Sequence, residues 1–305
     1  MRNAFSNALL AAAQADERII LMTGDHGYAL FDEFRRVCPR QYLNAGVAEQ
    51  NMVGVAAGLA KSGFRPVVYA LSSFSPIRVL EQIKLDVCCD ELPVIFIGDG
   101  AGVVYSTLGV SHQSTEDIAT LRALPHMRIL SPADPHEMKA VMELAFSTRA
   151  PVYLRMGKSD LGPIHSATPP LEWGRLIPVS PGNGALVFIA TGSLVTLAVK
   201  LAKDWPGGAV WSAPSLKPLH TDSVVAACSR HRLVVTLEEH NVLGGLGGAV
   251  AEILSQEHPM PVCRLGIPDR FSRFCGSYSY LMREHGLDFD SARSQILAFT
   301  KKHSL

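Results

Sequence analysis

The order of its apolar segments constrains this chain more than any other feature. Five short runs rich in Val, Ile and Leu occur at 18–24 (RIILMTG), 66–71 (PVVYAL), 92–98 (LPVIFIG), 127–132 (MRILSP) and 152–156 (VYLRM). Between them lie longer stretches of helical period at 2–15, 48–62, 76–90, 115–124 and 134–147. The runs do not alternate strictly between apolar and polar residues, as expected of parallel strands buried on both faces. Such a strand–helix order predicts a doubly wound, mostly parallel sheet flanked by helices over 1–156. From 157 to 184 the texture turns to Pro, Gly and Ser without a period, which reads as a linker crossing a surface. A second α/β cycle then fills 185–305: ALVFIATGS, a helix near 193–203, GAVWSA, a helix near 221–229, RLVVTLEEH, and GGLGGAVAEIL opening another helix.

With 48% of its 305 residues hydrophobic and 18% charged, the chain can fill two such cores. Its 28 basic and 28 acidic side chains leave no surplus to hold a nucleic-acid backbone. No apolar run reaches membrane-spanning length, and Arg2, Asn3 and Ser6 interrupt the N-terminus, so a soluble cytoplasmic protein is expected. Six cysteines, at 38, 88, 89, 228, 263 and 275, show no CxxC spacing; reduced, mostly buried thiols are expected in place of disulfides or zinc.

One acid stands out. Glu49 begins a helix of small and apolar residues, NAGVAEQNMVGVAAGLAKSG (44–63). A first-turn acid is stabilised by the helix dipole and needs no further role. Its apolar company, though, predicts a desolvated carboxyl able to share a proton. Downstream, STLGVSHQSTEDIA (106–119) places His112 in a loop just before a helix, with Ser114 and Asp117 spaced as a capping box. A loop histidine can simply bond backbone; at the carboxyl end of a parallel sheet it can also face a ligand. GDG at 98–100 invites a metal reading, but no asparagine follows between Asn51 and Asn183, so Asp99 reads as a turn residue. GGLGG (244–248) lacks the Lys-Ser/Thr of a phosphate loop and reads as a tight turn into a close-packed helix. His26, His220, His231 and His240 are scattered and carry no individual assignment.

Taken in order, GVAEQNMVGVAAGLAKSGFRPVV, SSFSPIRVLEQI, GVSHQSTEDIATLRALPHMRILSPADPHE, IATGSLVTLA and VVTLEEHNVLGGLGGAVAEIL resemble the transketolase family. The resemblance covers the pyrimidine-binding domain followed by the C-terminal domain. The family's diphosphate-binding domain, with its GDG metal motif, is not in this sequence. The resemblance therefore implies the C-terminal subunit of a split transketolase. It implies thiamine diphosphate as cofactor, with Mg2+ held by an N-terminal partner subunit in an α2β2 heterotetramer and no metal site in this chain. Glu49 matches the cofactor-activating glutamate, which holds a proton at the aminopyrimidine ring. Phe74 matches the stacking aromatic, with Leu71 and Ile77 where the family often has further aromatics. Asp25 falls at an acid near the cofactor, and His112 matches a histidine that contacts substrate hydroxyls.

Departures from the family pattern are equally informative. Leu108 stands where an acid reads a sugar hydroxyl, and Gly100 where a histidine binds substrate phosphate. Lys158 replaces a phosphate-binding arginine, a point charge for a fork, while Arg2 aligns with another. Together they imply small sugar substrates other than the ordinary pentose-phosphate pair. Two further readings stay open: the β subunit of another thiamine-diphosphate enzyme, of 2-oxoacid dehydrogenase or deoxyxylulose-phosphate-synthase type, and a non-catalytic homologue that binds a partner.

Overall fold

The computed structural model describes residues 1–158 and 160–304. Its first six strands are β1 (Ile19–Thr23), β2 (Tyr42–Asn44), β3 (Arg65–Leu71), β4 (Ile95–Asp99), β5 (Arg128–Leu130) and β6 (Val152–Met156). Then follow β7 (Ile177–Ser180), β8 (Leu186–Ala190), β9 (Ala209–Ser212), β10 (Ser215–Lys217), β11 (Leu233–Asn241) and β12 (Val262–Ile267). They form a seven-stranded sheet of order β10-β5-β6-β4-β3-β1-β2 and a five-stranded sheet of order β12-β11-β8-β9-β7. All pairings are parallel except those of the two edge strands β10 and β7. The expected α/β class with two mostly parallel sheets is what the chain adopts.

Register explains why the strand runs do not alternate. Met22, Val68, Phe96 and Tyr153 pair across β1, β3, β4 and β6 and point into one core layer. One residue earlier, Leu21, Val67, Ile95 and Val152 pair in the same order and fill the opposite layer. Successive side chains in a strand face opposite ways, so burial of both faces demands an apolar residue at every position. The second layer is covered by Phe5, Leu9 and Ala13 of α1 (Arg2–Ala15), and by Met138, Val141 and Met142 of the later helix Pro135–Ser147. That later helix is capped by Asp134, which accepts the Glu137 N–H at 2.8 Å, and has Pro135 in its first turn.

Three local features differ from expectation. A short helix, α2 (Asp32–Val37), and edge strand β2 occupy a stretch too brief to show a period. After α3 (Glu49–Lys61), the stretch expected as one helix over 76–90 winds as a 3-10 turn Ile77–Val79, α4 (Leu80–Gln82) and a π-helical segment Ile83–Cys88. Val79, Ile83 and Val87, all buried, recur every fourth residue; wider winding keeps that slower repeat facing inward. The stretch read as a linker contains β7, where Pro178 is tolerated because the strand lies at an edge.

The two sheets are interlocked. β10 leaves the second cycle and pairs antiparallel with β5 of the first sheet, Ser215 opposite Leu130. A single apolar layer runs from Met52 and Phe96 through to Val187 and Val250. No helix among the described residues is long and apolar enough to cross a membrane. The cysteines are free; Cys38, Cys88, Cys228 and Cys263 are buried, while Cys89 and Cys275 are exposed.

Candidate functional site

In an open parallel sheet, ligands bind beyond the carboxyl ends of the strands. There β3 ends at Leu71, which is 9% exposed, and its carbonyl accepts the N–H groups of Phe74 and Ser75 at 3.0 and 2.9 Å. This tight turn sets the Phe74 ring half-buried at the mouth. His112, in a loop after β4, meets it edge-on with ring centroids 5.3 Å apart and planes at 63°. From the first turn of α3, Glu49 approaches the same place. Arg78 joins them: its Nη1 donates to Glu49 Oε2 at 3.1 Å, and its Cζ lies 4.2 Å above the Phe74 ring. Three residues expected from the sequence thus converge, and Arg78, which sequence reasoning missed, links two of them. Its only signal was a lone cation in the otherwise uncharged stretch SSFSPIRVL.

Glu49 is largely shielded, its side chain 13% exposed, and within this chain it is ion-paired to Arg78. α3 buries Met52, Val53, Ala56, Ala57 and Ala60 on one side only, leaving Gln50, Asn51, Gly54 and Gly58 exposed.

Asp99 corrects one expectation. It is not a turn residue but the last residue of β4, only 4% exposed. Its Oδ2 accepts from Tyr69 and Tyr105 hydroxyls, each at 2.9 Å, with His26 Nε2 at 3.3 Å and Arg2 Nη2 at 3.4 Å. Burial alone would push its carboxyl up; the His26 bond, the Arg2 charge and the two tyrosines outweigh burial and hold it below the ordinary value. Gly100 follows with φ +73°, and a Cβ there would run into the Tyr105 ring. Tyr105 therefore occupies the space that a larger residue at position 100 would need.

Arg2 is spoken for by Asp99 and by the Tyr69 hydroxyl at 3.3 Å. Lys158 pairs with Asp160 at 2.9 Å and sits 5.3 Å over the Tyr278 ring. Asp25 is exposed and accepts the Tyr28 hydroxyl. Ile77 is half-buried, and Leu108, 52% exposed, ends a 3-10 turn Ser106–Leu108.

Behind the mouth lies a sealed polar seam between the two sheets that sequence reasoning did not see. Asp117, read as a capping residue, is wholly buried; it accepts from Tyr153 at 2.7 Å and from Arg155 Nε at 2.9 Å, and the cap position of its helix, α5 (Asp117–Arg122), is Glu116. Glu239 accepts from the Val103 N–H, Tyr278 and Ser193 at 2.9, 2.6 and 2.5 Å. Glu238 accepts the Leu246 and Gly247 N–H groups at 2.7 and 2.8 Å, and burial pushes its carboxyl up to about 7. The glycine turn is thus tight, as expected, and its helix terminus is already taken by an internal carboxyl; a Cβ on Gly245 would strike Glu238.

Residues 1–163 match the transketolase pyrimidine binding domain, and residues 177–291 the transketolase C-terminal domain. The chain belongs to the transketolase family. Among its transketolase relatives, an apulose-4-phosphate transketolase subunit of Phocaeicola vulgatus is 33% identical over 308 residues, spanning 99% of this chain and 97% of that one. The 6-deoxy-6-sulfo-D-fructose transketolase subunit SqwH of a Clostridium species is 32% identical, spanning 94% and 90%. A solved structure titled "Split gene transketolase, inactive beta4 tetramer" superposes with a TM-score of 0.90 at 32% identity over 98% of each chain. The 1-deoxy-D-xylulose-5-phosphate synthase of Caldanaerobacter subterraneus is 33% identical, but this transketolase-family chain spans only 48% of it.

Proposed function

We propose that this chain is the C-terminal subunit of a split transketolase that uses thiamine diphosphate to pass a two-carbon glycolaldehyde unit from a ketose to an aldehyde acceptor. The convergence of Glu49, Phe74 and His112 carries the reading. The place they frame fits an aminopyrimidine on its own geometry. A planar, N–H-bearing guanidinium already reaches the Glu49 carboxylate and the Phe74 face together, so a planar heterocycle with a ring N–H can do the same.

When bound, thiamine diphosphate supplies the electron sink that lets the bond beside a ketose carbonyl break and reform. Glu49 holds a proton at the pyrimidine ring nitrogen, in a site where water competes poorly for the hydrogen bond. Phe74 orients the ring by stacking, and Leu71 and Ile77 keep the surrounding wall apolar. His112 moves a proton at a substrate oxygen. Asp25, which is exposed, would lie near the coenzyme. Leu108 offers no carboxylate to a sugar hydroxyl, Tyr105 fills the space beside Gly100, and Arg2 and Lys158 are each engaged by a carboxylate. These features favour a donor or acceptor outside the ordinary pentose-phosphate pair.

The diphosphate and Mg2+ fall, in this reading, to an N-terminal partner subunit within an α2β2 heterotetramer of the cytoplasm. Among the described residues no three His, Cys, Asp or Glu side chains converge on a metal position, and Asp99 is consumed by its tyrosines. The relative titled an inactive tetramer of β chains supports a requirement for the partner. The synthase relatives support a second reading, in which pyruvate is the donor. The test is to combine this chain with its diphosphate-binding partner, thiamine diphosphate and Mg2+. Turnover of a ketose or hydroxypyruvate, lost in Glu49→Ala, is the expected result. Full activity of the variant would overturn the mechanism, and pyruvate decarboxylation would select the second reading.

A further inference from the structure

Arg78 stands in an unusual relation to the two residues that define the pyrimidine's place. Its guanidinium is planar, carries N–H donors, pairs with Glu49 Oε2 at 3.1 Å and lies with Cζ 4.2 Å above the Phe74 ring. An aminopyrimidine seated on Glu49 and Phe74 would make those same two contacts: a ring N–H to the carboxylate and a flat face on the phenyl ring. One group satisfying both at once fixes which face of Phe74 is concerned, because it is the face from which the Glu49 carboxylate can be reached. His112 meets the same ring at a steep angle, with planes at 63° and centroids 5.3 Å apart.

We propose that Arg78 is a built-in placeholder: it occupies the pyrimidine's position in the chain without coenzyme and swings aside when the coenzyme enters. This rests on the functional reading above. Two physical observations support it. Glu49 must share its carboxyl with a proton on the ring nitrogen, and the Arg78 guanidinium on Oε2 competes for the same oxygen. Arg78 is also free to leave, for its side chain is 46% exposed, whereas Glu49 is only 13% exposed. Without a guest, the guanidinium spares Glu49 an uncompensated charge in a half-buried apolar mouth. Loading of the coenzyme is therefore an exchange of one planar N–H donor for another, and its apparent affinity is reduced by the contact that must first be broken.

The experiment uses thiamine, which carries the pyrimidine without the diphosphate, titrated into the purified chain and followed by ligand-observed NMR. Arg78→Met, which keeps the length and removes the planar charge, is expected to bind thiamine about fivefold more tightly, the worth of one half-exposed ion pair and one cation–π contact. Arg78→Lys should fall between it and the unaltered chain. Adding Glu49→Gln to Arg78→Met should erase the gain. Circular dichroism checks that the variants fold, which the exposure of position 78 favours. Equal or weaker thiamine binding by Arg78→Met, beside measurable binding by the unaltered chain, would overturn the placeholder and leave the functional reading intact. Thiamine binding by none of the proteins, the partner-assembled complex included, would overturn both.

Discussion

Arg155 and Asp117 form an ion pair sealed between the two sheets, with Nε 2.9 and 3.2 Å from the two carboxylate oxygens and both side chains almost wholly shut off from water. The same guanidinium donates to the Glu239 carbonyl at 2.7 Å, so one side chain of the first sheet grips the last residues of β11 in the second. Burying two charges is costly, and removing one leaves the other unpaired in a dry site. Asp117→Asn is therefore expected to lose about 3–5 kcal/mol in urea unfolding. Asp90→Asn, which breaks the exposed Lys61–Asp90 pair, should change stability by no more than about 1 kcal/mol. Comparable losses from the two would contradict this account.

Glu238 and His240, with Oε2 and Nδ1 3.7 Å apart in the same seam, push stability in opposite directions with pH. Burial raises the Glu238 carboxyl to about 7 from 4.5, so the folded chain keeps a proton that the unfolded chain releases; stability falls as pH rises between those values and is level above. Burial lowers His240 to about 4 from 6.5, so the unfolded chain takes up a proton that the folded chain refuses; stability falls as pH drops through that window. The two slopes offset each other near pH 5–6. Glu238→Gln removes the first, and its stability should climb with pH up to about 6.5 and then stay flat. Urea midpoints collected from pH 5 to 8 would show it; a profile parallel to that of the unaltered chain would refute the assignment.

The seam also shows where reading the sequence alone reaches its end. The strands of the first sheet could be read because burial on both faces writes itself as unbroken Val, Ile and Leu, and α3 because its apolar period is long. Asp117 and Asp99 could not. Each looks locally like a cap or a turn, and what makes it a buried anion is a partner far along the chain: Arg155 for the one, Tyr69 and Arg2 for the other. Strand β10 was hidden for the same reason, since Ser-Leu-Lys has no period and its partner strand lies in the other half of the chain. Glu49 and His112 stood out by their local company and gained roles from the resemblance to a family pattern, which alone pointed to Phe74. Arg78 was missed, because a single arginine between Ile77 and Val79 carries no periodic or spacing signal.

Gly100 and Tyr105 interlock, and the consequence can be measured. Position 100 sits at φ +73°, where a Cβ costs about 1–2 kcal/mol even in open space, and here it also meets an aromatic ring. Gly100→Ala should therefore destabilise by more than that amount. Combining it with Tyr105→Ala should cost less than the sum of the two single changes, because the clash disappears when the ring is gone. Strict additivity in thermal or urea unfolding would mean that Tyr105 does not fill the space beside position 100.

His112 offers the cleanest separation of chemistry from coenzyme binding. Its ring lies 5.3 Å from that of Phe74 in a T-shaped arrangement, and its Nδ1 sits 3.0 Å from the Ser111 hydroxyl. In the proposed reading, a residue placed this way serves the substrate and not the pyrimidine. His112→Asn in the partner-assembled enzyme should lower kcat by about 10²- to 10⁴-fold, the usual share of a general acid–base group. The concentration of thiamine diphosphate needed for half-maximal activity should change little. Phe74→Ala should do the reverse, since losing a stacking ring weakens coenzyme binding first and turnover second. If His112→Asn instead raised the coenzyme requirement as strongly as Phe74→Ala, the histidine would belong to the pyrimidine's pocket and the proton at the substrate oxygen would need another carrier.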